Sequence, residues 1–206
     1  MRYSREYTLS RKCEGNLYEA RLHSLTRISF NLLLLTLGLL TFSSAAAQTR
    51  QSVYTNLDDK RCRTLKSDAS EAGEYLGRCT GIAGYTLLIE EGDLRQNITV
   101  VTPRKVEHSL ELWSVVSSAF SSVGDRAEWR VTKQKNKTTP VALIVRYNAS
   151  ENSENPDKTT SYLVVTKITS KEICVTDRIP PGPKANEDAR RLADEAATKP
   201  CLSEKH

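Results

Sequence analysis

The chain has 206 residues, with 30 lysines and arginines, 25 aspartates and glutamates and a net charge of +5. That length predicts one domain, or at most two. Six of the basic and three of the acidic residues lie in residues 1–47, which leaves 24 basic and 22 acidic residues, a net charge of +2. A nearly neutral remainder offers no electrostatic basis for a nucleic-acid partner.

The first 47 residues have the order of a secretory signal peptide. A basic segment ends at Arg27, an apolar run extends from Ile28 to Phe42, and alanines 45–47 form a cleavage site. The apolar run has about 15 residues, fewer than the roughly 20 of a membrane-spanning helix. We therefore expect cleavage after Ala47 and one exported domain over residues 48–206. The alternative is an uncleaved signal anchor that tethers the domain to a membrane.

Four cysteines follow the leader, while Cys13 lies within it. The four are Cys62, Cys79, Cys174 and Cys201. An even number in an exported chain predicts two disulfide bonds, with three alternative pairings. We favour Cys62–Cys79 and Cys174–Cys201, since each closes a short loop and contributes about 3 kcal/mol. A long-range bond from Cys201 to the N-terminal segment is the alternative.

The first part of the domain, residues 48–83, reads as an irregular polar segment held by Cys62 and Cys79. The core, residues 84–176, contains five runs of strand-forming residues. The first two are joined by the turn Glu91-Gly92-Asp93 and predict a hairpin. The five runs are 84–90, 96–102, 127–133, 141–147 and 161–168.

Two helices are predicted from apolar periodicity. The first follows the hairpin, begins at Ser109 and ends at Gly124, because apolar residues recur there every three or four positions. They are Leu110, Trp113, Val116, Phe120 and Val123. The second lies within residues 184–201 and has a narrow stripe of small apolar residues. The stripe is Ala189, Leu192, Ala193 and Ala196. Together these elements predict an α+β domain: an antiparallel sheet of about five strands, one inserted helix, a C-terminal helix and two disulfides.

Catalytic motifs are not found in the sequence. There is no Gly-x-Ser-x-Gly, no His-Glu-x-x-His and no glycine-rich phosphate loop. We therefore expect no catalytic, cofactor or metal site. One alternative is a hydrolase that uses a pair of carboxylates near Asp93 and Glu128.

Charged residues on the predicted strands form the candidate binding patch. Glu128 and Arg130 share a strand face opposite Trp129, and Arg146 lies in the neighbouring strand. Asp93 and Arg95 at the hairpin turn extend the patch. Two interpretations remain open: a cross-strand ion pair on a half-exposed sheet, and a surface that binds another protein or a small anionic ligand.

Several segments together resemble a known family. They are YTNLDDKRC, RCTGIAGYTLLIEEGDLR, PVALIVRY, SYLVVTKI, the isolated Cys174, and ANEDARRLADEA before Cys201. They resemble a family of uncharacterised exported proteins of proteobacteria that has four such cysteines, over most of the chain after the leader. The resemblance implies a periplasmic or extracellular location and no particular chemistry. We expect a non-catalytic binding or interaction module whose partner is a periplasmic protein or a small anion.

Overall fold

Ten strands and two helices make up the computed structural model, which describes residues 50–58, 60–68 and 73–203. The predicted signal peptide lies outside the described residues. The strands are β1 (Arg50–Asn56), β2 (Arg63–Ser67), β3 (Tyr75–Thr80), β4 (Thr86–Gly92), β5 (Arg95–Val101), β6 (Glu107–Ser109), β7 (Ser121–Gln134), β8 (Lys137–Ala149), β9 (Thr160–Ile168) and β10 (Ile173–Ile179). The helices are α1 (Leu112–Val115) and α2 (Ala185–Glu195), and a short 3₁₀ turn, Ala196–Thr198, follows α2.

All ten strands belong to one mixed sheet. The pairing order is β10-β9-β8-β7-β5-β4-β3-β2, with β1 beside β7 and β6 beside β5. Every pairing is antiparallel except a single parallel bridge between Arg95 and Ser121, where β7 leaves β5 to pair with β1 and β8. The bridge therefore joins two antiparallel groups of strands, β2–β6 and β1 with β7–β10.

The main core lies between these two groups of strands. Leu87 and Ile98 from β4 and β5 share one buried cluster with Trp129, Tyr147 and Val164 from the other group. All five are completely buried. Successive side chains of a strand point to opposite faces, so one face of each of these strands points into this core.

The opposite face of β8 and β9 is covered by α2. Ala189 and Ala193 of the helix pack against Ile144 and Val165 of the strands in a second, smaller core. The three alanines of the predicted stripe, Ala189, Ala193 and Ala196, are buried and Leu192 is partly buried, and the small alanine side chains allow close contact between the helix and the sheet.

The predicted α+β fold with one inserted helix is wrong. Strands occur at all five predicted places, but the segment 48–83 adds β1, β2 and β3, and β6 and β10 complete a sheet of ten. The inserted helix shrinks to the four residues of α1, and β7 begins at Ser121. Serines are poor helix formers, and here Ser121 joins the sheet by pairing with both Arg95 and Ala149.

Both favoured disulfide bonds are confirmed. Cys62 is bonded to Cys79 and Cys174 to Cys201. The first joins Cys62, the residue before β2, to Cys79 in β3. The second, which we call the C-terminal disulfide, joins β10 to the segment that follows α2.

Candidate functional site: a basic cleft at one end of the sheet

A cleft of about 730 Å³ lies at the end of the sheet where β4 begins and β9 ends. The connections β3–β4, β5–β6 and β9–β10 surround it, together with the first residues of β8. Tyr85 and Ile168, both in contact with the main core, form part of its floor together with Pro103 and Pro140. Because the core below is filled by side chains such as the buried Trp129, a ligand would bind at the mouth and not inside.

The β5–β6 connection is held in a tight shape that projects its middle residues toward the cleft. The Thr102 backbone amide donates to the Val106 carbonyl at 2.9 Å, and the Val106 amide donates to Thr102 Oγ1 at 3.1 Å. Lys105 lies in the left-handed backbone region, with φ of 65°. Thr102 and Val106 thus fix the position of Arg104 between them.

Three cationic side chains line this cleft, two from connections between strands and one from the first residue of β8. They are Arg104, Lys137 and Lys171. In the described parts of the chain, none of the three side chains forms a hydrogen bond or an ion pair. His108 also lines the cleft. We call this feature the basic cleft.

The one carboxylate in the lining of the basic cleft already has a cationic partner. Glu172 accepts a hydrogen bond from the buried ammonium group of Lys167, which also donates to the Lys199 carbonyl at 2.7 Å. Glu172 therefore balances Lys167 and leaves the charges of the three rim cations uncompensated. The cleft combines an apolar floor with a positive rim, which suits an anionic group attached to an apolar body.

A second cleft of about 460 Å³ lies at the opposite end of the β4–β5 hairpin. Four carboxylates and one guanidinium line it, together with the indole of Trp113. The charged side chains are Glu90, Glu91, Asp93, Glu111 and Arg95. We call this cleft, with the exposed side chains of Leu94 and Phe120 beside it, the acidic end.

Arg95 organises the acidic end. Its guanidinium pairs with Asp93, donates through Nε to the Ser118 carbonyl at 2.8 Å and lies 5.0 Å from the Phe120 ring centre. The Ser121 amide donates to the Leu94 carbonyl at 2.9 Å, which joins the hairpin tip to the start of β7. The predicted site residues Asp93 and Arg95 therefore belong to this end.

Glu128 and Arg130, also predicted, lie beneath α2. Arg130 is buried and forms a two-point ion pair with Asp194 of α2, with both N–O distances at 2.8 Å. Glu128 accepts two hydrogen bonds from Arg190 of the same helix, at 2.7 and 3.1 Å. Ser52 of β1 donates to Glu128 and accepts from Arg130. These charges join the helix to the sheet.

The ion pairs beneath α2 hold Glu128 in its charged form. Burial alone raises the pKa of the Glu128 carboxyl, but hydrogen bonds from Arg190 and Ser52 and the charge of Arg130 outweigh it, so the pKa lies below its ordinary value. The hydrogen bond to Glu128 in turn raises the pKa of Arg190. Both groups are therefore charged at neutral pH.

The structure does not gather the five predicted patch residues at one place. Arg146 is exposed and donates to Ser161 Oγ at 2.9 Å, while Glu128 lies opposite Ile144 and has its charge partners in α2. Glu128, Arg130 and Arg146 line neither of the two clefts. The predicted patch is thus divided among an ion network, an exposed arginine and the acidic end.

Sequence reasoning missed the three rim cations. Each is an exposed cation in a turn or next to one, the commonest position for a solvated residue, so nothing in its own neighbourhood marks it as a site residue. An available signal was that antiparallel connections alternate between the two ends of a sheet. Applied to a ten-strand order, that rule would have placed three of the turns together.

The comparisons with protein-family models, curated proteins and solved structures found no match. The two disulfides indicate an oxidising, non-cytoplasmic compartment. Among the described residues, no helix has the length and apolar character to cross a membrane.

Proposed function

We propose that the protein is an exported, non-catalytic binding module of the bacterial periplasm, and that the basic cleft is its ligand site. The ligand class is an anionic group attached to an apolar body. The observation that supports this best is the convergence of Arg104, Lys137 and Lys171 on one cleft with apolar lining residues. They come from three separate parts of the chain and have no partners among the described residues.

The electrostatic cost of this arrangement favours a binding role. Three like charges around one cleft repel each other, and no folded-state ion pair of the described residues offsets that repulsion. An anionic ligand would remove it on binding. The volume of the cleft also lies in the range of roughly 300–1,000 Å³ that is usual for small-molecule sites.

The hydrolase alternative has less support from the geometry. It requires Asp93 and Glu128 to face one pocket. Asp93 lies at the acidic end, whereas Glu128 is engaged with Arg190 beneath α2. The alternative of a membrane-tethered domain concerns residues 1–47, and the mass of the protein isolated from its native host decides between it and a cleaved form.

Calorimetric titration with three related probes tests the proposal. Decanoate supplies a carboxylate on an alkyl chain, acetate supplies the anion alone, and decyl maltoside supplies a similar chain with a neutral head. We expect decanoate, below its critical micelle concentration, to bind most tightly of the three. Equal binding of decyl maltoside would show that the positive rim is irrelevant, and no binding of decanoate would reject the proposal.

A matched pair of triple variants locates the site. Replacing Arg104, Lys137 and Lys171 with alanine should weaken decanoate binding about tenfold, because three exposed charge contacts at about 0.5 kcal/mol each add to about 1.5 kcal/mol, and about 1.4 kcal/mol corresponds to a factor of ten. The control replaces three exposed cations outside the cleft, so the net charge changes equally. These are Arg63, Lys158 and Lys184. Equal weakening in both variants would indicate a nonspecific charge effect.

Fluorescence gives an independent readout from inside the protein. The chain has two tryptophans, and the ring of Trp129 lies 5.9 Å from that of Tyr85 in the cleft floor. In a Trp113→Phe background, all tryptophan emission comes from Trp129. Decanoate in the basic cleft should then change the emission in proportion to the occupancy measured by calorimetry.

A further inference from the structure

The acidic end has large apolar side chains that are unusually exposed. Leu94, Trp113 and Phe120 are 41%, 46% and 48% exposed, although large apolar residues are normally found in the core. Protein interaction surfaces, and their binding hot spots in particular, are rich in exposed aromatic side chains and arginine. The five charged groups that line the cleft of this end sum to −3.

The two ends have opposite chemistry and face away from each other. The lining of the basic cleft has three cations and one carboxylate, or +2 without counting histidine. Strand β4 runs from Thr86 beside the basic cleft to Gly92 at the acidic end, and its seven residues span about 20 Å. A contact at one end therefore leaves the other end free.

We propose that the basic cleft of one copy accepts the acidic end of a second copy, so that the protein associates head to tail. This inference rests on the proposed function, because it assigns an occupant to the same cleft. The acidic end supplies the chemistry that the cleft fits: the carboxylate of Glu111 for the positive rim, and the apolar side chain of Trp113 for the floor.

Charge complementarity argues for a second copy over a membrane as the occupant of the acidic end. The acidic end carries exposed aromatics suited to a bilayer interface, but four carboxylates oppose its approach to an anionic lipid surface. The basic cleft of a second copy, which is cationic and concave, accommodates both the aromatic side chains and the carboxylates. Such a contact joins two different surfaces of the chain, and repeated contacts form rings or filaments.

Sedimentation velocity of the native, oxidised protein tests the inference. We expect the average mass to rise with protein concentration and to fall when sodium chloride screens the contact. Decanoate should dissociate the assembly, because it occupies the same cleft. A protein that stays monomeric at all concentrations overturns the inference, and if decanoate still binds, the proposed function survives that failure.

Two charge-altered variants distinguish this contact from a symmetric one. The cleft variant is Lys137→Glu with Lys171→Glu, and the end variant is Glu111→Lys with Trp113→Ala. Each alone should associate about tenfold more weakly or worse, whereas a mixture of the two should form a heterodimer, because each supplies the surface that the other lacks.

Three results of the variant experiment overturn head-to-tail association. The first is an end variant that self-associates like the unchanged protein, which would mean that the acidic end is not part of the contact. The second is a mixture that stays monomeric although both variants are folded. The third is a control, Arg63→Glu with Lys184→Glu, that weakens association as much as the cleft variant does. Binding of phosphatidylglycerol vesicles by monomeric protein would instead assign the cleft to a membrane.

Discussion

Replacing Arg130 with alanine should destabilise the protein strongly, although the sequence pattern predicts a residue on a half-exposed sheet face. Its side chain is 10% exposed and its two-point partner Asp194 is 32% exposed. Removing one member of a fully buried pair costs about 3–5 kcal/mol. Since the Asp194 carboxylate can regain water, we expect about 2–3 kcal/mol, with Glu128 still held by Arg190.

Equilibrium unfolding in urea, followed by far-ultraviolet circular dichroism, measures this loss. For a domain of this size it corresponds to a drop of roughly 5–10 °C in the unfolding temperature. Arg146→Ala is the matched control: Arg146 is exposed and donates one hydrogen bond, so its replacement should change stability by less than about 0.5 kcal/mol.

A double-mutant cycle with Asp194→Ala completes the test. The two losses should overlap, with a coupling energy of about 1 kcal/mol or more. If Arg130→Ala unfolds at the same urea concentration as the unchanged protein, the ion network does not hold α2. Arg130 would then be free to serve a binding partner, and the structural interpretation of this charge would be refuted.

Three further predictions concern packing, pH and the disulfides. Gly81→Ala should destabilise the fold by about 1–3 kcal/mol, because its new Cβ would lie 2.8 Å from the Tyr85 carbonyl oxygen. Gly92→Ala is the control, because the Cβ added there meets nothing within 4 Å. Unfolding in urea compares the stabilities of the two variants. The pKa of Glu128 is lowered in the folded state, so its charged form stabilises the folded protein above about pH 4.5, and this contribution is lost as the pH falls through the pKa of the folded state. The difference in the free energy of unfolding between the unchanged protein and Glu128→Gln should therefore shrink between pH 6 and pH 3. Replacing both cysteines of the C-terminal disulfide, which are 27 residues apart, should cost about 3 kcal/mol, and a loss below 0.5 kcal/mol would contradict the chain-entropy account.

The parts of the fold that the sequence predicted were those set by local pattern. The alternation around Trp129 identified the centre of β7, and the alanine stripe at Ala189 and Ala193 identified the buried face of α2. The short separations of the cysteines favoured the pairing found. In each case, the information lay within one element or within a short stretch of the chain.

Local pattern failed where the partner of a segment lies far away in the chain. Every residue of β2 is exposed, so β2 has no apolar alternation, and pairing with β3 alone gives it the form of a strand. Phe120 and Val123 match a helical period, yet the following residues extend β7 because two other strands offer hydrogen bonds. Tertiary pairing overrode local propensity there.

The candidate functional surfaces were the least predictable part. Arg130 looked like a surface charge because its counter-ion, Asp194, is 64 residues away. Arg104, Lys137 and Lys171 line one cleft only because the strand order brings the segments that carry them to one end of the sheet.

Mapping of ¹⁵N-labelled protein by nuclear magnetic resonance during a decanoate titration tests the ligand site most directly. The backbone amides of Arg104, Lys137 and Lys171 should shift together and saturate with one dissociation constant. Those of Glu111 and Trp113 at the opposite end should stay in place once any assembly has dissociated. Shifts confined to the acidic end or to the α2 interface, or no saturable shift near the three cations, would contradict the account.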